Sequence, residues 1–304
     1  MSVTVINNIE YATYDLLGRG SFGSVYRAKR ISDDWPVVIK DMMVDAPHAR
    51  ALEYEIAVLN WITRELGDDS PFNKILDSQI ITLGDKVKAS VVLEYVEGDN
   101  LADYWKKNKP SDKTERWSMI KNILEQVLLA INILHEQNIV HRDIKSQNVM
   151  VKSIDHAPGY RIIIIDFGLS CSINDGFLRD YPDLMERSRD CPSRIVGTPH
   201  YLAPQLIEMH RKRRNLNHED LKRSDVWAIG IMLFQLIYGY FPHNGRNFND
   251  VFANIMDHEN PDRRFRLEMR DRPTPFNAVL DSIFVPIETR PTIRELITQV
   301  QRIA

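Results

Sequence analysis

The stretch LGRGSFGSVYRAKR, Leu17 to Arg30, sets Gly18, Gly20 and Gly23 at G-x-G-x-x-G spacing near the start of a 304-residue chain. Three structures compete for such a stretch: a glycine turn opening a helix onto a dinucleotide, a hairpin lying over nucleotide phosphates, and a plain turn. The dinucleotide fingerprint requires a helix directly after the glycines. Here SVYRAKR follows, a β-branched and aromatic run that favours a strand. The glycines therefore predict a β-hairpin, with the plain turn still open until residues further along are read.

Outward from the hairpin, β-type runs dominate before residue 97: Val25 to Ala28, PVVIK at 36–40, QIITL at 79–83 and SVVLEYV at 90–96. One helix interrupts them, in DAPHARALEYEIAVLNWI. There Asp45 is the expected N-cap, Pro47 falls in the first turn, and Leu52, Ile56, Leu59 and Ile62 recur at helical spacing. Beyond residue 97 helical patterns prevail. In TERWSMIKNILEQVLLAINILHEQN, 114–138, Trp117, Ile120, Leu124, Val127, Leu128, Ile131 and Leu134 form one apolar stripe. Two brief strands are expected within Ile139 to Val151 and in YRIIIID at 160–166, before a polar segment running to about residue 200. The outline is an α+β chain with a small β-rich lobe carrying one main helix and a larger, mainly helical lobe, linked near Glu94 to Asp99.

Bulk properties narrow the function classes. A hydrophobic content of 43% over this length supports a sizeable core, and a net charge of -3 gives no global reason to expect nucleic acid or an anionic membrane as partner. Cys171 and Cys191 are too few for a disulfide framework and match no zinc spacing, so a reducing cytoplasmic or nuclear setting is expected. The N-terminal residues lack the basic and apolar regions of a signal peptide. AIGIMLFQLIYGYF, Ala228 to Phe241, is too short and too interrupted to span a bilayer and reads as a buried helix. The basic stretch HRKRRNLNHEDLKR, 210–223, reads as a solvated loop, with a docking or localisation signal as its competitor.

Lys40, closing the strand PVVIK, changes the standing of the glycines. From here the chain resembles the eukaryotic protein kinases, because further signatures follow in that family's order. Glu55 in EIAVL matches the glutamate that pairs with the lysine. HRDIKSQN, 141–148, matches the catalytic loop and DFG, 166–168, the metal-binding turn. GTPHYLAPQ, 197–205, matches the end of the activation segment, SDVWAIG, 224–230, the buried helix under the active site, and Arg290 the late arginine of the larger lobe. The resemblance implies a bilobal kinase domain over 12–304, with lobes 12–96 and 97–304 and a short extension at 1–11. In style it is similar to Ser/Thr kinases of the NIMA-related and neighbouring groups, because Lys145 and Thr198 stand where tyrosine kinases carry other residues.

Phosphoryl transfer asks for positioning and for neutralising charge spread over oxygens. The resemblance assigns those tasks residue by residue, with ATP and Mg²⁺ as the implied cofactors. Gly18, Gly20, Ser21, Phe22, Gly23 and Val25 would cover the phosphates. Lys40 would hold the α- and β-phosphates, fixed by Glu55. Asp166 and Asn148 would offer the hard oxygen ligands that Mg²⁺ requires. Asp143 would accept the substrate proton and Lys145 neutralise the transferring group. Val38, Leu93 at the gatekeeper position, and the backbone of Glu94 to Val96 would meet the adenine, with Asp99 or Asn100 at the ribose. Thr198 would shape the Ser/Thr pocket, and Val196, Pro199 and Leu202 an apolar site for the residue after the acceptor. The glutamates that select basic residues upstream of the acceptor fall on Asn100 and Gln147, so no strong basic preference by that route is expected.

Two departures stand out. Gln205 replaces the glutamate that pairs with the late arginine, which implies a looser anchor. Arg142 ordinarily answers to a phosphorylated residue in the activation segment. The usual acceptor position is Arg194, leaving Ser193, Ser188 or the fixed charge of Asp190 to take that part. A regulatory disulfide between the two cysteines is a further, weaker reading. Expected partners are proteins bearing Ser or Thr, with no nucleic acid or membrane, and the chain is expected to be a monomer. The competing reading is a pseudokinase-type scaffold, against which stands the presence of Lys40, Asp143, Asn148 and Asp166 together.

Overall fold

The computed structural model describes residues 2–20, 23–155, 159–172, 195–212 and 216–303. They fall into two compact units. The first takes the chain up to Glu97 together with Ile165–Gly168, and the second takes Gly98–Ile164 and the described residues from Leu169 onward. The first is β-rich and the second mainly helical, an α+β protein.

In the first unit, β1 (Ser2–Ile6), β2 (Ile9–Gly20), β3 (Gly23–Arg30), β4 (Pro36–Asp45), β5 (Ile75–Leu83) and β6 (Lys86–Glu94) form one antiparallel sheet in the order β1-β2-β3-β4-β6-β5. The glycine stretch is the β2–β3 hairpin, pairing Gly18 with Val25 and Gly20 with Gly23. Gly23 is required there: a Cβ would lie 1.9 Å from the Asp41 carbonyl oxygen of β4. Gly18 has nothing within 4 Å of such a Cβ, so crowding by the protein does not demand a glycine at that position.

Residues 2–6, read from the sequence as part of an extension, pair along β2 from Ser2–Thr13 to Ile6–Ile9. The turn is Asn7-Asn8, both at positive φ (46° and 65°). A two-residue hairpin turn of matching twist needs that geometry, and asparagine tolerates it. The strand is integral because Ile6 joins Tyr11, Ala28, Val37, Ile39 and Val92 in one buried cluster.

The one main helix of this unit, α1 (Ala49–Leu66), buries Leu52, Ile56, Leu59 and Ile62 as their spacing predicts. It starts later than expected. Asp45 precedes a 3₁₀ turn, Ala46–His48, and makes no side-chain cap bond. The Ala46 N–H is held by the Asp85 carbonyl at 2.8 Å, which ties this point of the chain to the β5–β6 turn instead.

The second unit contains β7 (Asp99–Asn100), α2 (Leu101–Asn108), α3 (Lys113–Glu136), β8 (Ile139–Val140), β9 (Val149–Ser153), β10 (Tyr160–Ile164) and β11 (Cys171–Ser172). It continues with α4 (Pro204–Lys212), α5 (His218–Tyr238), α6 (Phe248–Met256), α7 (Arg264–Asp271), α8 (Asn277–Ile283) and α9 (Ile293–Gln301). Helix α3 starts where Asp112 accepts from Glu115 N, and its stripe from Ile120 to Leu134 is buried. The apolar run ending at Phe241 supplies much of α5. That helix is opened by an Asn217–Asp220 capping box and closed by Gly239 at φ 83°. Its Trp227 is fully buried against Phe284, His243 and His258. Among the described residues no helix is long and apolar enough to cross a membrane. The expectations that involve Ser21, Phe22, Ser188, Asp190, Cys191, Ser193 and Arg194 lie outside the described residues.

Candidate active site

Each unit carries its own polar cluster. In the first, strand register decides which side chains share a face. Lys40 sits opposite Val25 on β3 and Val91 on β6, while Val38, two residues earlier, sits opposite Leu93. Directly paired residues project to the same side, so Val25, Val38, Lys40 and Leu93 line one face. Ile39 and Val37 turn the other way into the core. Val25 and Val38 are half-buried and Leu93 is buried. The Glu94 N–H is taken by the Lys74 carbonyl at 3.0 Å.

Lys40 Nζ donates to Glu55 Oε1 at 2.6 Å and to Asp166 Oδ1 at 2.8 Å. Glu55 is 3% exposed, whereas the Asp166 side chain is 43% exposed. Burial works against the Lys40 charge, yet the two carboxylates outweigh it and hold the ammonium pKa above the ordinary lysine value. Asp166 takes a left-handed backbone at φ 67°, uncommon for a residue with a side chain. Its Oδ1 also accepts from Gly168 N at 3.3 Å, and buried Phe167 packs edge-on to Phe72 at 5.7 Å. A Cβ at Gly168 would approach Glu55 Oε2 to 3.2 Å and Lys40 Nζ to 3.3 Å. Glycine leaves room for the three charges to meet.

The second cluster surrounds Asp143, which is 7% exposed. Its Oδ1 accepts from the Thr198 hydroxyl at 2.8 Å and from Thr198 N at 3.1 Å. Its Oδ2 accepts from Lys145 Nζ at 2.6 Å and from Asn148 Nδ2 at 3.2 Å. Lys145 reaches Thr198 Oγ1 at 3.0 Å, and Asn148 Nδ2 also bonds the Asp143 carbonyl at 2.9 Å. The amide of Asn148 is thereby oriented by its nitrogen, which directs its carbonyl oxygen away from Asp143.

This loop is strapped to α5 by a residue that sequence reasoning did not single out. Asp225, 1% exposed, accepts from His141 N and Arg142 N at 2.9 Å each and from His135 Nε2 at 2.9 Å. The signal was available as the lone acid in the otherwise apolar run DVWAIG. His141 itself is fully buried, its Nδ1 accepting from Asp143 N at 3.3 Å, a packing role. Arg142 sits at φ 68°.

Other expected residues are engaged elsewhere. Asp99 pairs with Lys107 at 2.8 Å, and Asn100 caps α2 by accepting from Asp103 N at 3.1 Å. Leu202 is buried, while Val196 and Pro199 are half-buried. Gln205 does meet Arg290: Oε1 accepts from Nη1 at 3.1 Å, and Nε2 donates to Ser224 Oγ at 3.0 Å.

Among the described residues no group of three or more His, Cys, Asp or Glu side chains is arranged to hold a metal ion. The Asp166 carboxylate in the first unit and the Asn148 carbonyl in the second are each hard oxygens of the kind Mg²⁺ takes. That ion is commonly held by one or two protein oxygens plus substrate phosphates.

The family described as Protein kinase domain matches residues 11–300. Among curated proteins, the chain is 32% identical to the serine/threonine-protein kinase ATG1a of Arabidopsis thaliana, over 81% of this chain and 34% of that protein. It is 29% identical to the serine/threonine-protein kinase pak-1 of Caenorhabditis elegans, over 95% of this chain and 44% of that protein. With the CBL-interacting protein kinase 10 of Oryza sativa subsp. japonica it shares 28% identity, over 81% and 47% respectively. The chain thus spans about half, or less, of the length of these relatives.

Proposed function

Because this chain belongs to the protein kinase domain family, we propose that it transfers the γ-phosphoryl group of Mg-ATP to serine or threonine hydroxyls of proteins. The observation that carries the reading is the network closed on Asp143 by Thr198 and Lys145. ATP supplies the transferable group, and Mg²⁺ neutralises charge on the phosphates. Lys40, held ionised by Glu55 and Asp166, is the residue for the α- and β-phosphates. Asp166 and Asn148 are the residues for the metal.

Asp143 orients the substrate hydroxyl and takes its proton at a carboxylate oxygen, exchanging one of the hydrogen bonds that now fill both. Lys145 places a cation beside that oxygen for the charge that develops on the transferring group. Thr198 ties the start of the segment 197–205 to the same carboxylate, which supports a short aliphatic hydroxyl as acceptor. Asp99 and Asn100 are tied to α2, which favours backbone rather than side-chain contact with the nucleotide there. Residues 12–96 and 97–304 are the lobes of one catalytic domain in this reading, acting as a monomer. Incubation with γ-labelled ATP and a mixed Ser, Thr and Tyr peptide library tests it. Label on serine and threonine is expected, and label mainly on tyrosine would contradict it.

A further inference from the structure

On the face of the sheet that carries Lys40, the strand register sets out a row of side chains. Val25 is paired with Lys40, while Val38 is paired with Arg27 on β3 and with Leu93 on β6. Val38 precedes Lys40 by two residues, about 7 Å along an extended strand. A flat base laid on Val25, Val38 and Leu93 is therefore at a fitting distance from the ammonium that holds its phosphates, and Arg27 stands at the outer margin of that apolar floor. Arg27 is exposed, and its guanidinium carbon lies 4.9 Å from the centre of the Tyr95 ring, within the range of a cation–π contact. It forms no ion pair among the described residues, whereas Lys29, next along the same face, is paired with Asp34. Tyr95 follows directly on β6, in residues 95–97 that belong to no strand or helix, and the first unit ends at Glu97.

We propose that Arg27 is a positioning residue for the nucleotide, clasping Tyr95 so that the backbone of residues 94–96 is held against the margin of the base site. The inference rests on the Mg-ATP reading above. The clasp joins parts of the first unit that no ladder joins, because β3 pairs with β2 and β4 and not with β6. On either side of Tyr95 the chain is already fixed: the Lys74 carbonyl holds the Glu94 N–H, and Val96 is buried. Tyr95 itself is half-buried, and Arg27 supplies its hold from the sheet. Arginine suits the task, since its planar guanidinium stays charged and stacks on aromatic faces. At an exposed site such a contact changes an equilibrium constant about two- to fivefold, so the clasp tunes nucleotide affinity. Acting through the backbone beside the base, it should be felt by ligands that carry a base and not by polyphosphate alone. A direct pull of the Arg27 charge on the phosphates would be felt by both.

The test is calorimetric titration of the whole chain with the magnesium complexes of a non-hydrolysable ATP analogue and of tripolyphosphate. The wild type is set beside Arg27→Gln, Tyr95→Leu, Tyr95→Phe and the double variant Arg27→Gln, Tyr95→Leu. Arg27→Gln and Tyr95→Leu should each raise the Kd of the ATP analogue about two- to fivefold. The double variant should bind no more weakly than the weaker single one, because both changes break the same contact. Tyr95→Phe retains a ring under the guanidinium and should bind as the wild type does. The Kd of tripolyphosphate should stay level throughout. Unchanged affinity of the analogue in both single variants would overturn the proposal, as would losses that multiply in the double variant. An equal loss in Tyr95→Phe and Tyr95→Leu, or a parallel loss for tripolyphosphate, would overturn it too. If the wild type fails to bind the analogue, the Mg-ATP reading itself falls; if it binds and the variants match it, only the role of Arg27 does.

Discussion

Arg290 Nη1 donates to Gln205 Oε1 at 3.1 Å, inside a protein interior where Arg290 is 2% exposed. Its other bonds run to the carbonyls of Ile283, Arg223 and Val285, and its guanidinium lies 4.8 Å from the Trp227 ring centroid. All of these partners are neutral. Burial, reinforced by the Arg223 charge, pushes the Arg290 pKa down to about 9.

Replacing Gln205 by glutamate sets an anion against a cation whose desolvation cost the fold already bears. Breaking such a buried pair costs about 3–5 kcal/mol; restoring one should recover a fraction, about 1–2 kcal/mol, against the desolvation of the new carboxylate. Gln205→Glu is expected to raise the thermal midpoint by several degrees in scanning calorimetry. A level or lowered midpoint counts against the account.

Lys40→Met removes the cation between Glu55 and Asp166. Burial already raises the Glu55 carboxyl pKa, so without Lys40 this side chain is expected to protonate and stop acting as an anchor. Misplacing the phosphate-holding group should lower kcat/KM at least about a hundredfold. Steady-state kinetics with a peptide substrate reads this directly, and near wild-type turnover would refute the assignment.

For Thr198 the informative comparison is valine against serine. Valine removes the hydroxyl bonded to Asp143 and Lys145, whereas serine retains it. A hydrogen bond to a charged group is worth about 1.5–3 kcal/mol, equivalent to roughly a ten- to hundredfold change in rate. Thr198→Val should lose kcat by that factor and Thr198→Ser should recover most of it. Equal kcat values in the two variants would assign the threonine a packing role only.

Stability should fall on mild acidification. His243 is 1% exposed with neither ring nitrogen hydrogen-bonded among the described residues. Burial, with the charges of His258, Arg263 and Arg266 beside it, pushes its pKa down to about 3. The unfolded chain takes up the proton near pH 6.5 and the folded chain only near 3, so the stabilising difference is complete above about pH 6.5. It is then lost at about 1.4 kcal/mol per pH unit as pH falls through that window. His243→Phe keeps an aromatic ring beside Trp227 and should flatten the decline of thermal midpoint between pH 6.5 and 4.5. An unchanged slope would place the acid sensitivity elsewhere.

Much of the first unit was legible because its signals are local. The glycines, the strand after them and Lys40 lie within three consecutively paired strands, β2, β3 and β4, and a two-residue side-chain period puts Val38 and Lys40 on one face. Strand β1 was missed although INNI carried its turn, since a five-residue run gains its burial only by pairing with β2. Asp45 does not cap the helix, and the Ala46 N–H beside it is held instead by the Asp85 carbonyl, 39 residues further along the chain. In the second unit, HRDIKSQN and GTPHYLAPQ identified the cluster around Asp143. The strut of Asp225 joins segments 83 to 90 residues apart, and no spacing along the chain announces such a meeting.

The central claim is that Asp143 orients and deprotonates the hydroxyl that receives phosphate from Mg-ATP. Asp143→Asn is nearly isosteric and keeps an acceptor for Thr198, so the fold should persist. Phosphate transfer to a generic Ser/Thr protein substrate, measured for the two proteins side by side under single-turnover conditions, decides the matter. The account predicts a rate lower by at least about a hundredfold for Asp143→Asn; equal rates would contradict it.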